Sequence, residues 1–475
     1  MGMNTTQPPP STRTDAYDVI VIGGGAVGEN VAWYARANGF TVALIERDLV
    51  GGECSYWACI PSKALLRPGE VLSAARRVPG AEPAVTGAVD VAATLHTRDV
   101  SSSHWDDAAQ ASWLDSIDVT LIRGQGRLAG ERRVEVETDD GVRLLQARIA
   151  VALATGTSAA TPPIEGLDTI RFWDSRDVTS SQTIPNHLMI LGGGVVGAEM
   201  AQAYRRLGAE VTVVELFDRL LAVEEPAAGE LLGQVYADEG ITVITGAKAV
   251  AAKRDRDDGP VSLVLEDGRV LQADELLVST GRSANSAGLG LESVGLEGND
   301  YVAVDDQLRV KGVDGDWLYA VGDLNGRALL THQGKYQARI AADVMGGKEV
   351  RAKADHIAVS RVAFTDPPVA AVGLTELQAR EAGIAVEILN VPYSSVSASA
   401  LLGRDIEGFA QLVIDGPRRT VVGATFVGPM AGALLHAATI AIVSKITLDE
   451  LWHAVPAFPT LNELWLRLLE ADRGI

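Results

Sequence analysis

The sequence predicts an α/β fold, two Rossmann-like units followed by an α+β domain. Three observations carry this. Two glycine-rich turns of one design occur, Gly23-Gly24-Gly25-Ala26-Val27-Gly28 and Gly192-Gly193-Gly194-Val195-Val196-Gly197. Each stands between a short apolar, β-branched run and a helical pattern, and the next apolar run closes on an acid. From about Ile357 the pattern changes to short strands and then helices.

A chain of 475 residues is too long for one simple core and suggests two to four domains. Its 41 basic and 62 acidic side chains leave a net charge of -21. That sign argues against binding to nucleic acid or to an anionic membrane surface. Apolar runs are shorter than the roughly 18 residues a membrane span needs, so no membrane insertion is expected. Residues 1–16 are polar and proline-rich and read as a disordered leader rather than a signal peptide. A cytoplasmic location is expected, where the two cysteines suit a catalytic dithiol better than a structural staple.

In the first unit, Tyr17 to Ile22 reads as a strand, Glu29 to Asn38 as a helix and Thr41 to Ile45 as the next strand, closing on Glu46. The acid comes 18 residues after the last glycine, which completes a dinucleotide fingerprint. Gly23 permits the turn, Gly25 lets a pyrophosphate approach the backbone, and Gly28 lets helix and strand pack closely. The pyrophosphate would rest on the helix N-terminus, and Glu46 would accept hydrogen bonds from ribose hydroxyls.

Both cysteines follow at once, in Gly51 to Lys63, GGECSYWACIPSK. A helical turn from Cys54 would bring Cys54 and Cys59 within bridging range. On these residues alone the pair is a redox couple, two buried thiols or half a metal site. No third or fourth cysteine exists to complete a zinc site, and no metal is expected. Lys63 shares a helical face with Cys59, or is a plain solvated lysine.

Residues 64 to 115 read as helices broken at Pro68, Pro79 and Pro83, and 118 to 153 as alternating strands ending at Thr155-Gly156, where a phosphate or ribityl chain could approach. The second unit comprises a strand from His187 to Leu191, a helix from Ala198 to Leu207 and a strand from Glu210 to Val214, closing on Glu215. A carboxylate there repels a ribose 2'-phosphate and favours NADH over NADPH, a preference the nearby Arg219 softens. Glu199 would reach Lys63 if two dinucleotides meet face to face; otherwise it complements the helix dipole. Residues 241 to 279 read as strands with an Asp267-Gly268 hairpin turn. Thr280-Gly281-Arg282 echoes Thr155-Gly156. Asp323, after a strand and a glycine, would hold cofactor hydroxyls or cap a helix.

In the last domain, helices are expected at about Ala431–Ser444, Leu448–Val455 and Asn462–Ala471. Trp452, Phe458 and Trp465 belong either to the core or to an interface.

Together these motifs resemble the class I pyridine nucleotide-disulfide oxidoreductases, the family of dihydrolipoamide dehydrogenase, glutathione reductase and mercuric reductase. The resemblance spans roughly residues 17 to 470. It rests on the two glycine turns, GGECSYWACIPSK, ATG at 154–156, TGRSAN at 280–285, YAVGD at 319–323, FTDPPVAAVGLTE at 364–376 and FPTLNE at 458–463. It implies an FAD-binding domain at 17–160 and 283–355, an NAD(P)H-binding domain at 161–282, and a dimerisation domain at 356–475 forming a homodimer. By the same resemblance Gly23, Gly25, Gly28, Glu46, Gly52, Thr155, Gly156 and Asp323 look like FAD contacts. Gly192, Gly194, Gly197, Glu215 and Gly281 look like nicotinamide-nucleotide contacts. Cys54 is similar to the interchange thiol and Cys59 to the thiol at the flavin. Lys63 and Glu199 look like the pair beside the ring, and Glu463 like the acid near the substrate.

One departure stands out. The family pattern His-Pro-Thr-x-x-Glu, contributed across the dimer, reads Phe458-Pro459-Thr460-Leu461-Asn462-Glu463 here. An imidazole there takes and returns a proton during thiol–disulfide exchange, and phenylalanine does not. The expected function is an FAD-dependent NADH oxidoreductase passing electrons through a Cys54–Cys59 couple to a disulfide, a quinone or a similar small acceptor. The alternatives are a true dihydrolipoamide dehydrogenase-like disulfide reductase, a mercuric reductase-like metal reductase and a low-turnover FAD-bound redox sensor.

Overall fold

The structure, a computed structural model, describes residues 15–257 and 259–475. The expected leader falls mostly on residues 1–14, outside the described residues, and the first strand already begins at Asp15. The chain divides into two compact units. Among the described residues the first comprises the chain up to residue 54, 105–158 and 283–352, and the second 55–104, 159–282 and 353–475.

The first unit is a seven-stranded sheet with helices. Strand β1 (Asp15–Ile22), helix α1 (Gly28–Ala37) and strand β2 (Val42–Glu46) form its nucleating βαβ. Across the sheet the order is Val119–Arg123, β2, β1, Gly141–Leu153, Arg133–Thr138 and Gln125–Leu128, with Leu318–Ala320 joined to Gly141–Leu153. β1 runs parallel to β2 and to Gly141–Leu153, and the Arg133–Thr138 and Gln125–Leu128 strands are antiparallel. Val19 to Ile22 are all buried, since a parallel strand has both faces covered and reads as a continuous apolar run. Each such side chain contributes about 1.5–3 kcal/mol by burial.

The second unit holds helix α2 (Cys59–Arg77) and a parallel sheet built on β3 (His187–Leu191), helix α3 (Val195–Arg206) and β4 (Glu210–Val214). Thr242–Ile244 and Glu275–Val278 flank β4 and β3. A three-stranded antiparallel sheet follows, and its Val261–Leu265 and Val270–Ala273 strands turn through Asp267 and Gly268 as expected. The remainder is a five-stranded antiparallel sheet, Ser360–Ala363, Val369–Gly373, Thr420–Val427, Phe409–Asp415 and Val386–Pro392. Helix Ala431–Ser444 packs on it.

One expectation is corrected and one left open is resolved into its parts. Pro68 does not break its helix: α2 runs unbroken for 19 residues through it. Proline removes one backbone hydrogen bond, but tertiary packing holds the helix here. Leu65, Leu66 and Gly69 are buried, and a Cβ on Gly69 would stand 2.7 Å from the Arg206 side chain of α3. The three C-terminal aromatics also divide. Trp465 is buried against Phe426, Trp452 lies under the Arg473 guanidinium, and Phe458 is 74% exposed. No helix among the described residues is long and apolar enough to cross a membrane.

Candidate active site

The two glycine turns fold for the same steric reasons. Gly23 and Gly192 have φ of +100° and +105°, and a Cβ on either would lie 2.5–2.7 Å from the carbonyl oxygen of Ala154 or Ser279. Only glycine fits such a position. A Cβ on Gly28 or Gly197 would fall 1.8 or 1.9 Å from the carbonyl oxygen of Gly23 or Gly192, so the helix start can approach the strand end only without a side chain.

The middle glycines differ in purpose. A Cβ on Gly25 would meet nothing nearer than Gly52 Cα at 3.9 Å, and one on Gly194 nothing within 4 Å. Open space therefore lies beside each helix N-terminus, and neither α1 nor α3 is capped there by a side chain. A pyrophosphate fits such a cradle, because backbone N–H groups and the helix dipole face it. The residues present fit the pyrophosphate of a dinucleotide at each of the two turns.

Each turn is tied to its acid. Glu46 accepts from the Gly24 N–H and the Asp48 N–H, both at 2.6 Å. Glu215 accepts from the Gly193 N–H and, at 2.8 Å, from the Phe217 N–H. Both carboxylates are buried at the end of their strand. Arg219 is turned to Asp218 at 2.8 Å and to the Ala222 carbonyl at 3.0 Å. In the first turn of α1, burial raises the Glu29 carboxyl above its ordinary range, partly offset by Lys335.

Other cofactor-type positions converge within the first unit. Thr155 donates to the Asn285 carbonyl at 2.8 Å, and the Asn285 amide donates back to the Thr155 carbonyl at 3.0 Å. Gly156 accepts the Asn285 N–H at 3.0 Å. Thr157 donates to Asp323 at 2.9 Å. Asp323 sits in a 3₁₀ turn, Gly322–Asn325, just ahead of the helix Thr331–Met345. Gly52 opens the short helix Gly52–Tyr56 that carries Cys54, and the Gly51 N–H bonds the Gly24 carbonyl at 2.8 Å. Gly281 accepts the Ala160 N–H at 3.0 Å within the second unit.

Cys54 and Cys59 are both partly buried, Cys59 as the first residue of α2. One turn along α2, Lys63 reaches Glu199 of α3 at 2.7 Å. Glu199 is 2% exposed, and its other oxygen accepts the Phe364 N–H at 2.9 Å. The Lys63 ammonium also stands 4.7 Å above the Phe364 ring, a cation–π contact. A buried ion pair is kept only when its remaining hydrogen-bonding capacity is met; the Phe364 N–H meets it on the Glu199 side.

Further side chains hold the redox stretch and its helices in place. Trp57, between the cysteines, is pinned by Arg176 stacked 3.9 Å over its ring and by the Thr179 hydroxyl on its carbonyl at 2.8 Å. Asp366 joins the far ends of α2 and α3, receiving Arg77 at 3.2 Å and Arg206 at 3.0 Å. Burial alone would raise this carboxyl, but Arg206 and Arg77 hold it below the ordinary range. Its only sequence signal was its place in FTDPP. Glu463 is buried at the start of the helix Glu463–Asp472, with Oε2 lacking a hydrogen-bond partner among the described residues. His453 is exposed.

The chain is similar to known proteins over nearly its whole length. Residues 17–343 match the family Pyridine nucleotide-disulphide oxidoreductase, and residues 359–468 match its dimerisation domain. The chain is 34% identical over 453 residues to the mercuric reductase of Streptomyces lividans, covering 92% of this chain and 93% of that protein. It is 31% identical over 457 residues to the dihydrolipoyl dehydrogenase of Chlamydia pneumoniae, covering 95% and 96%. Among solved structures, LpdA from Mycobacterium tuberculosis superposes with a TM-score of 0.84 at 26% identity, covering 97% of this chain and all of that one. The flavoprotein disulfide reductase RclA from Escherichia coli shares the fold, with a TM-score of 0.82 at 23% identity over 96% of this chain and 99% of that one. The dimerisation domain supports a homodimer. The chain thus belongs to the pyridine nucleotide-disulphide oxidoreductases and is an FAD-dependent NAD(P)H oxidoreductase of that family.

Proposed function

We propose that this enzyme prefers NADH and delivers electrons to a small acceptor, a quinone, whose reduction needs no protein imidazole. One observation carries the reading. Position 458 is a phenylalanine, 74% exposed, while Glu463 presents a buried oxygen with no donor among the described residues. This supports the reading of Glu463 as an acid near the acceptor that lacks the imidazole N–H it would orient.

FAD, when bound, supplies two-electron chemistry between the nicotinamide and the thiols. The chain's own residues do the rest. The glycine turns at Gly23–Gly28 and Gly192–Gly197 bind the two pyrophosphates, with Gly52, Thr155, Gly156, Asp323 and Gly281 completing the cradles. Glu46 and Glu215 receive ribose hydroxyls. The Glu215 carboxylate repels a 2'-phosphate, and the engagement of Arg219 with Asp218 and Ala222 supports NADH. Lys63, fixed by Glu199, places a positive charge near the redox stretch and favours the thiolate of Cys59. Cys54 meets the acceptor side. Disulfide exchange there requires a proton at the departing sulfur, and loss of general acid–base help costs about 10²–10⁴-fold.

Steady-state turnover with NADH against a benzoquinone, lipoamide, glutathione disulfide and Hg(II) tests the reading. Quinone turnover should exceed lipoamide turnover by about 10²-fold or more. A lipoamide rate equal to the quinone rate would sink the proposal. Phe458→His should raise lipoamide turnover and leave quinone turnover unchanged.

A further inference from the structure

Helices α2 and α3 carry Lys63 and Glu199 in their first halves, and each ends on a pair of arginines, Arg76-Arg77 and Arg205-Arg206. Between these ends lies a cleft of about 700 Å³, walled also by Glu82, Ala88 and Val89 and by Arg404 and Asp405. That volume is in the range of small-molecule sites, about 300–1,000 Å³. All of its walls belong to the second unit.

Five arginines line the cleft against three carboxylates, Glu82, Glu239 and Asp405, in a chain whose net charge is -21. Their partners show which charges are available. Arg206 is committed to Glu239 at 2.6 Å and to Asp366 at 3.0 Å, and Arg77 leans on Asp366 at 3.2 Å. Among the described residues Arg76 donates to a main-chain carbonyl, that of Gly87 at 2.8 Å. Arg205 likewise donates to the carbonyls of Glu239 at 2.7 Å and Ala209 at 3.3 Å. Arg404 pairs with Glu82 at 2.9 Å, both side chains about half exposed, and such a surface pair is worth little. Arginines in the last turn of a helix complement its dipole. That role accounts for α2 and α3 but not for Arg404, which the loop brings in from elsewhere: the Arg404 N–H bonds the Arg77 carbonyl at 2.8 Å, and a Cβ on Gly403 would fall 2.6 Å from that oxygen. Leu72 and Val89 add apolar wall.

We propose that this cleft binds a small phosphate-bearing anion, held by Arg76, Arg205 and Arg404. The planar forks of these side chains match phosphate oxygens two at a time. Arg77 and Arg206, fixed by Asp366, form the rigid back of the site.

Calorimetric titration of the flavin-loaded enzyme with inorganic pyrophosphate and with ATP, at fixed ionic strength and with saturating NAD⁺ to fill the dinucleotide site, tests this. Saturable binding of one anion per chain is expected. Arg76→Ala and Arg205→Ala should each weaken it about tenfold, with flavin content and melting temperature unchanged. Arg404→Glu, a change on an exposed loop that keeps the fold, should abolish it. Absence of saturable binding by both probes overturns the proposal. So does binding of equal strength in the Arg76→Ala/Arg205→Ala double variant, or full displacement by sodium chloride at the same ionic strength.

Discussion

Around the first glycine turn, the two residues between the second and third motif glycines are packed away. Ala26 is buried, and Val27 lies so close to Gly322 and Gly334 that a Cβ on either would meet it at 3.1 or 2.4 Å. Around the second turn, the equivalent Val195 and Val196 are each 39% exposed. The backbone of the two turns is nearly the same, from the φ of Gly23 and Gly192 to the acid bonded to Gly24 and Gly193. Their surroundings are not. The first is roofed by the helix Thr331–Met345 of its own unit, and the second is left open. On the proposed function, the buried turn is the one that holds its ligand and the open turn the one whose ligand exchanges, with the packing around each making the difference.

The largest expected effects test that contrast directly. Gly28→Ala and Gly197→Ala introduce the same clash, at 1.8 and 1.9 Å. Gly28→Ala should yield protein without flavin, read from the absorbance ratio at 450 and 280 nm. Gly197→Ala should keep its flavin and lose NADH-dependent reduction, by about 10²-fold or more in kcat/KM. Equal flavin content in the two variants would show that the turns are interchangeable.

Asp366→Asn comes next. Removing one member of a buried ionic cluster costs about 3 kcal/mol, measurable by urea denaturation. Its pH dependence has a definite sign. The folded carboxyl sits below its ordinary value, near about 4, because Arg206 and Arg77 outweigh burial. Its contribution is therefore present above about pH 4 and is lost as pH falls through the lowered folded value. The variant should be flatter than the parent in that acid range.

A smaller effect concerns coenzyme choice. Glu215→Ala should reduce kcat/KM for NADH about tenfold and narrow the gap to NADPH, since a carboxylate–hydroxyl hydrogen bond is worth about 1.5 kcal/mol. An unchanged ratio of the two coenzymes would place the discrimination elsewhere. The smallest effect is on the first turn. Burial raises Glu29, so the folded state holds its proton longer than the unfolded chain, and stability falls as pH rises from about 4 through the raised value. Glu29→Gln should remove that slope and raise stability at neutral pH by no more than about 0.5 kcal/mol. The two carboxyls therefore predict opposite slopes, Glu29 in the first unit and Asp366 in the second.

The sequence by itself determined whatever local sterics dictate. A glycine with positive φ, a glycine where helix meets strand, and an acid closing the next strand are each read within about 25 residues, and both turns appear as the spacing predicts. The cysteine stretch and the phenylalanine at 458 were likewise plain in the chain. Tertiary structure decided the rest, because it depends on contacts between distant residues. Lys63 and Glu199 are separated by 136 positions, and only the packing of α2 on α3 brings them to 2.7 Å, with the Phe364 N–H completing the pair. The same packing carries α2 through Pro68, against the local preference of proline. Other long-range contacts gather arginines from three segments into one cleft, and in the last sheet they bury Trp465 against Phe426 while leaving Phe458 exposed. Residue type and spacing specify the ligand turns; the depth to which each turn is buried belongs to the assembled unit.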